Sequence, residues 1–115
     1  TVVETDQTNT NYNALQDNLL RLENAVLEDG KKPRIVTLPM PKTVIFDDLI
    51  IPASYANFVI LNTLVLVPTF NDANDRTALN IIAHCFPDRE VIGISAIDLI
   101  WGFGTLHCLS QQIPE

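Results

Sequence analysis

The chain has 115 residues, enough for one modest hydrophobic core, so it is expected to be one domain or part of one. Its 14 acidic residues outnumber the 7 basic ones, giving a net charge of −7, and without a basic patch it is not expected to bind nucleic acid. No apolar run reaches the roughly 18 residues of a membrane span and no basic-then-apolar signal opens the chain, so we expect a soluble cytoplasmic protein without membrane contact.

Hydrophobic periodicity and turn residues predict alternating strands and helices. The predicted elements of the first half are the end of a strand at residues 1–3, a helix that is capped at 10–11, carries apolar residues to Leu27 and stops at Gly30, and strands at 34–38 and 44–51. Those of the second half are a buried hairpin at 58–61 and 64–67, a helix at 78–86 after possible caps at 71–75, a strand at 90–94, and a glycine turn leading into a strand at 105–110. This order predicts an α/β fold.

A weak internal repeat supports a modular architecture. Helix, arginine-led strand and special loop occur twice, and Arg34 and Arg89 lie 55 positions apart. A period of that size fits one supersecondary ββαβ module. In the repeat, Asn57 falls near the position of the loop that holds Cys108, so it is a candidate for lining the same cavity. An equally good interpretation is an asparagine that satisfies backbone groups where a loop enters a strand.

The two cysteines lie in unlike surroundings, which argues against a disulfide scaffold and fits a reducing compartment. Cys108 follows Gly102 and Gly104, which let backbone N–H groups approach closely, in a segment rich in polar groups. A thiol attacks as thiolate and needs such a polar, partly open setting, so Cys108 is a candidate nucleophile. Cys85 lies in an apolar helical run and is expected to be buried and inert.

Other candidates have less support. His107 adjoins Cys108, and neighbours on a strand project to opposite faces, so we expect His107 to anchor the turn and not to act as the base. The same divergence argues against zinc binding by the two His-Cys dipeptides. Asp72 and Asp75 are expected to cap a helix, because the glycine and terminal glutamate of a calcium loop are missing.

The end of the chain carries a more specific signature. Residues 102–112 read Gly-Phe-Gly-Thr-Leu-His-Cys-Leu-Ser-Gln-Gln, close to the Gly-x-Gly-x-x-His-Cys-x-Thr/Ser-Gln-Gln context of the nucleophile in the agmatine deiminase and Porphyromonas-type peptidylarginine deiminase family. The chain resembles that family over nearly its whole length, at residues 38–41, 52–58, 66–68, Asp72, Asp75 and 86–94. Phe103 replaces a common glycine and Thr105 a common asparagine, which bears on the substrate more than on the family.

The resemblance implies a pentein fold, an α/β propeller of five ββαβ modules. Family members are about three times longer, so the chain is expected to be their C-terminal third, a fragment with approximate modules at 1–62 and 63–115. The resemblance also implies a homo-oligomer, and no metal or organic cofactor. The isolated piece is expected to be inactive, because the partners of the nucleophile, a His-x-Asp motif and a further carboxylate, would precede Thr1. It is also expected to self-associate, because a cut modular fold exposes strands that would meet neighbouring modules.

The resemblance implies that Cys108 forms a covalent thiouronium intermediate, which water hydrolyses. Candidate substrate-binding residues are Asn57, Gly104 and Thr105. The favoured reaction is hydrolysis of agmatine to N-carbamoylputrescine and ammonia, a step toward putrescine and polyamines. Alternatives are deimination of peptidyl-arginine to citrulline, amidinotransfer to an amine, and a non-catalytic binding module on a pentein-like scaffold.

Overall fold

The computed structural model describes residues 1–113, which form an α/β structure. Its elements in chain order are β1 (Val2–Val3), α1 (Tyr12–Asn24), β2 (Leu38–Pro39), β3 (Val44–Phe46), β4 (Leu49–Ile51), β5 (Val59–Ile60), β6 (Leu64–Thr69), α2 (Asp75–Cys85), β7 (Glu90–Ser95) and a short 3₁₀ helix (Leu99–Gly102). Within residues 1–113, no helix is both long and apolar enough to cross a membrane.

A three-stranded sheet forms the centre of the structure. β6 lies between β5, with which it makes the predicted antiparallel hairpin, and β7, with which it pairs in parallel over all six residues. Parallel neighbours need a crossover connection, and α2 supplies it. The apolar run of β6 is largely buried, with Val65 and Val67 at 0 % exposure, because α2 and the preceding loops cover the sheet. The crossover brings the segment with His107 and Cys108 back beside the loop at 52–57.

The core lies around this sheet and beneath α2. Two residues of α2 one turn apart, Ala78 and Ile82, are buried against it, as expected for an amphipathic helix. The buried cluster comprises Leu38, Ile51, Ala53, Tyr55, Val65, Val67, Phe70, Ala78, Ile82, Ala96 and Ile100. By contrast, α1 has no buried residue and lies beside the short parallel pair of β1 and β2.

Three predicted elements in the first half are wrong in extent. The helix α1 ends at Asn24, with Ala25 already extended, so Val26 and Leu27 lie in the following loop. Of the predicted strand at 34–38 only Leu38 pairs, and β2 continues to Pro39, since β1 offers just two residues as partners.

The predicted strand at 44–51 is a hairpin of β3 and β4. Its turn is Asp47-Asp48, and both residues have left-handed backbones, with φ of 50° and 61°. Two successive left-handed residues give the tight turn that suits the twist of a hairpin. Asn-Gly and Asp-Gly are the usual sequences for this turn, so Asp-Asp gave no clear signal.

The predicted strand at 105–110 is also wrong, because residues 106–109 form a turn. The amide of Leu109 donates to the carbonyl of Thr105 at 3.1 Å, and that of Ser110 donates to the carbonyl of His107 at 3.0 Å. These bonds satisfy the backbone locally, so the segment needs no neighbouring strand. Cys108 therefore lies on a turn beyond the sheet.

Candidate active site

The turn that holds Cys108 begins with a change of chain direction. The 3₁₀ helix Leu99–Gly102 ends at Phe103, whose backbone is left-handed with φ of 62°. A left-handed residue after a helix redirects the chain, although glycine is the commoner choice. The redirected segment carries Gly104 and then Cys108, whose side chain is exposed.

Asn57 meets this turn from the loop before β5. Its Oδ1 accepts the amide of His107 at 2.8 Å and the amide of Cys108 at 3.1 Å, and its Nδ2 donates to Cys108 Sγ at 2.9 Å. Its backbone carbonyl also accepts the amide of His107 at 3.2 Å. Asn57 therefore satisfies backbone groups, as one interpretation of the sequence had it, but those groups belong to the cysteine turn and not to its own loop.

Gly104 lies against the cysteine itself. A Cβ built at position 104 would lie 2.8 Å from Cys108 Cβ and 3.3 Å from its Sγ. Such an approach is closer than carbon atoms tolerate, so only glycine leaves the cysteine in this position. Gly104 thus fixes where the sulfur lies, and its predicted contact with substrate stays a prediction.

Thr105, the third tentative substrate-binding residue, is fully buried. Its Oγ1 has no hydrogen-bond partner among residues 1–113. Its backbone carbonyl accepts the amide of Leu109 and so supports the turn. The side chain of Thr105 is thus buried, whereas that of Cys108 is exposed. The contact of Thr105 with substrate stays a prediction.

An open cleft of about 300 Å³ adjoins the Asn57 amide and is lined by Ser54, Ala56, Asn57 and His107. His107 lies in the turn at 106–109 and not on a strand, so the alternation of side chains along a strand does not apply to His107 and Cys108. Its predicted anchoring role is present in the backbone, through the amide that donates to Asn57. No carboxylate lines this cleft within the described part of the chain.

A second set of contacts holds the Asn57 loop to the start of α2, and sequence reasoning missed it. The hydroxyl of Tyr55 donates to Asp75 Oδ1 at 2.8 Å, and the amide of Phe70 donates to the same oxygen at 3.1 Å. The Asp72 amide donates to Asp75 Oδ2 at 3.0 Å. Burial, followed by the hydrogen bond to Asp75, raises the pKa of Tyr55 above its usual range, so the phenol stays a donor. No local pattern relates residues that lie twenty positions apart.

The same network reaches the loop at 40–42. Asp72 accepts the amide of Lys42 at 3.0 Å and the amide of Asn74 at 2.8 Å, while Asn74 Nδ2 donates to the carbonyl of Met40 at 2.9 Å. The predicted capping role needs correction, because the N-cap is Asn74 and its side chain makes no capping bond. The aspartates instead bind loop backbone, and no cluster of three His, Cys, Asp or Glu side chains suited to a metal occurs in residues 1–113.

The prediction for Cys85 is wrong, because this cysteine is exposed. It is the last residue of α2, one turn beyond Ile82, where the packed layer between helix and sheet ends. Together with Phe58 and Phe86 it lines an open cleft of about 230 Å³. Helical periodicity placed Cys85 on the correct face, but periodicity does not reveal where the covering layer stops.

The exposed Cys108, on a turn shaped by Gly104 and contacted by the amide of Asn57, is the candidate active site of this α/β structure. The model of the Porphyromonas-type peptidyl-arginine deiminase family matches residues 1–114, and the chain belongs to this family. A Lactococcus lactis relative assigned as an agmatine deiminase is 33% identical over 127 residues, covering 96% of this chain and 35% of the relative.

Solved structures share the fold. An assigned arginine deiminase from Porphyromonas gingivalis has a TM-score of 0.95 and 38% identity, with 99% of this chain and 34% of that one covered. An agmatine deiminase of Enterococcus faecalis, described as catalysing its reaction, has a TM-score of 0.94 and 31% identity, with 99% and 36% covered. The prediction of a partial pentein fold is thereby confirmed, and the chain spans about a third of the length of the proteins it matches.

Proposed function

We propose that this chain supplies the nucleophile of an enzyme that hydrolyses a guanidinium C–N bond, with agmatine as its substrate. The observation that carries the proposal is the set of contacts at Cys108, an exposed thiol with an amide donor 2.9 Å from its sulfur. An N–H donor stabilises negative charge on sulfur, and the thiolate is the attacking form. The similarity to an E. faecalis agmatine deiminase supports agmatine as the substrate.

In the proposed reaction, the Cys108 thiolate attacks the central carbon of the cationic guanidinium and forms a C–S bond. The tetrahedral adduct breaks a C–N bond, and the departing nitrogen takes a proton and leaves as ammonia. Water then attacks the resulting thiouronium carbon, and the C–S bond breaks. The products are the ureido compound N-carbamoylputrescine and the free cysteine, with no net oxidation or reduction.

The reaction needs groups beyond the sulfur. A guanidinium presents a planar fork of N–H donors that carboxylates bind in pairs, and the leaving nitrogen requires an acid. The cleft beside Asn57 has no carboxylate within residues 1–113. We therefore assign these groups to other parts of a longer protein. In that protein, residues 1–62 and 63–115 are two modules. This division agrees with the chain's coverage of 34% and 36% of two solved relatives. We further propose that the longer protein assembles as a homo-oligomer.

Peptidyl-arginine is the second candidate substrate, since the matched family is described as a peptidyl-arginine deiminase. It carries the same guanidinium, and the cysteine chemistry is unchanged. The two substrates differ only in what is attached to that group. Product analysis separates them, because one reaction yields N-carbamoylputrescine and the other a citrulline residue.

The test is ammonia release by the intact protein, with agmatine and with an arginine peptide in parallel. We expect Cys108→Ala to abolish turnover and Cys85→Ala, the matched control, to retain it. The native protein should also give a covalent adduct at Cys108 when the reaction is quenched in acid and analysed by mass spectrometry. Substantial turnover by Cys108→Ala would overturn the mechanism, and transfer of the amidino group to an added amine would establish amidinotransfer.

A further inference from the structure

The contact between Asn57 and Cys108 defines the chemical orientation of the Asn57 side chain. Its oxygen faces two backbone N–H groups, those of His107 and Cys108, which can only donate. A reversed amide would place its own N–H groups against these donors and lose both bonds. The two backbone donors therefore hold Oδ1 in place and direct Nδ2 at the sulfur.

We propose that Asn57 is a positioning residue that holds Cys108 in its attacking form, an inference that rests on the proposed function and names the group that prepares its nucleophile. The Nδ2–H bond points at the sulfur at 2.9 Å and supplies a donor that a thiolate accepts. Hydrogen bonds to a charged partner are stronger than those to a neutral one, so this bond favours the thiolate over the thiol.

The surroundings of Asn57 keep this geometry in place. The residue is partly buried, and its loop is tied by its own amide to the carbonyl of Ser54 at 3.3 Å and by Tyr55 to Asp75. Gly104 is a second close neighbour of the cysteine, since a Cβ built there would lie 2.8 Å from Cys108 Cβ and 3.3 Å from its Sγ. The sulfur thus has both a close glycine and an amide donor beside it.

The role differs from substrate binding, which the sequence had suggested for Asn57. Oδ1 and one N–H of the Asn57 side chain are engaged with the cysteine turn, through bonds to His107 and Cys108. The orientation of this amide is therefore set before any substrate arrives, and only its second N–H is left to donate elsewhere. Its effect on the reaction passes through the sulfur.

The experiment measures alkylation of Cys108 by iodoacetamide in the 115-residue chain, in which the thiolate forms a C–S bond and iodide leaves. Cys85, also exposed, is the internal reference in every sample. Asn57→Asp keeps the acceptor oxygen for the two amides but replaces the donor with a negative oxygen. Asn57→Ala removes both. Asn62→Asp, in the exposed turn between β5 and β6, is the matched control with the same change in net charge.

At neutral pH we expect Asn57→Asp to slow alkylation of Cys108 about tenfold, the size expected for a lost hydrogen bond to a charged group. Asn57→Ala should slow it less, because water replaces the amide and no anion is introduced. Asn62→Asp should leave the rate unchanged. At about pH 10, where solvent removes the thiol proton unaided, the native and Asn57→Ala rates should converge.

A purely structural role for Asn57 predicts a different result, with Asn57→Ala equally slow at both pH values. That result, or unchanged rates at neutral pH, would overturn the inference. Altered circular dichroism or faster Cys85 labelling would show that Asn57→Asp partly unfolds the chain. In that case the pH dependence of alkylation in Asn57→Ala decides whether the inference holds. No guanidinium is present in this assay, so an enzyme inactive on agmatine refutes the proposed function without deciding the role of Asn57.

Discussion

Gly104 and Cys108 are packed so closely that a methyl group at position 104 would lie 2.8 Å from the cysteine Cβ. The contact lies inside one short segment, and the amide of Asn57 reaches the same sulfur at 2.9 Å. The position of the sulfur thus depends on glycine at position 104 as well as on the hydrogen bond from Asn57.

Gly104→Ala is expected to destabilise the chain by about 1–3 kcal/mol, the usual cost of overpacking, and to slow alkylation of Cys108 by moving it from the amide of Asn57. Gly102→Ala is the control, because a Cβ there meets nothing within 4 Å. Urea unfolding and iodoacetamide labelling measure the two effects. Equal behaviour of the two alanine variants would show that the turn adapts to the extra methyl group.

Tyr55→Phe removes the hydroxyl that donates to Asp75 and is expected to lower the free energy of unfolding by about 1–2 kcal/mol, as for a hydrogen bond to a charged group. Tyr12→Phe is the matched control, since the Tyr12 hydroxyl makes no hydrogen bond within residues 1–113, and it should change the free energy by less than about 0.5 kcal/mol. Urea unfolding at neutral pH is the measurement. If Tyr55→Phe leaves the free energy of unfolding unchanged, the network does not hold the Asn57 loop.

The stabilising effect of the Tyr55 hydroxyl should disappear in alkali. Burial and the Asp75 carboxylate raise the folded pKa of this phenol above its ordinary value of 10.0, so the fold favours the neutral form. Its contribution is complete below the unfolded pKa and is lost as the pH rises above it, because only the unfolded chain releases the proton. The difference in unfolding free energy between the native chain and Tyr55→Phe should shrink by about 1 kcal/mol between pH 10 and about pH 11. A constant difference across that range would contradict the raised pKa.

Cys85→Ser is expected to change the free energy of unfolding by less than about 0.5 kcal/mol, since an exposed site at a helix end tolerates substitution. Ile82→Ala, one turn earlier and 2 % exposed, should cost about 2–5 kcal/mol. The two variants compare the end of the packed layer with its interior. A loss of more than about 2 kcal/mol of unfolding free energy in Cys85→Ser would instead support the buried position that periodicity predicted for this cysteine.

The sequence predicted the elements whose pattern is local. Residues 64–67 and 90–94 are apolar runs bounded by turn residues, and both are strands; the helix at 78–86 occurs as α2. The pairing of β6 with β7 follows from a helix between two strands. The sequence also predicted that the chain turns at Gly102 before it reaches Cys108, whereas the assignment of Cys108 as the nucleophile stays a prediction.

The elements that were missed depend on contacts between distant residues. Alternation of polar and apolar residues at 105–110 fits a strand, but the segment is a turn packed against Gly104 and Asn57. The pair of Tyr55 and Asp75 leaves no trace in local sequence, whereas the 55-residue repeat brought Asn57 near the cysteine before any contact was known. Repetition thus carries long-range information that periodicity within one element does not.

The 51 positions that separate Asn57 from Cys108 also govern when the site forms during folding. Loop closure over that distance costs entropy that the local contacts of the turn do not return, so we expect the contact to form only together with the hairpin, α2 and β7. A peptide spanning the cysteine turn alone therefore lacks the donor. In a chain that has not finished folding, we expect Cys108 to have no amide beside its sulfur.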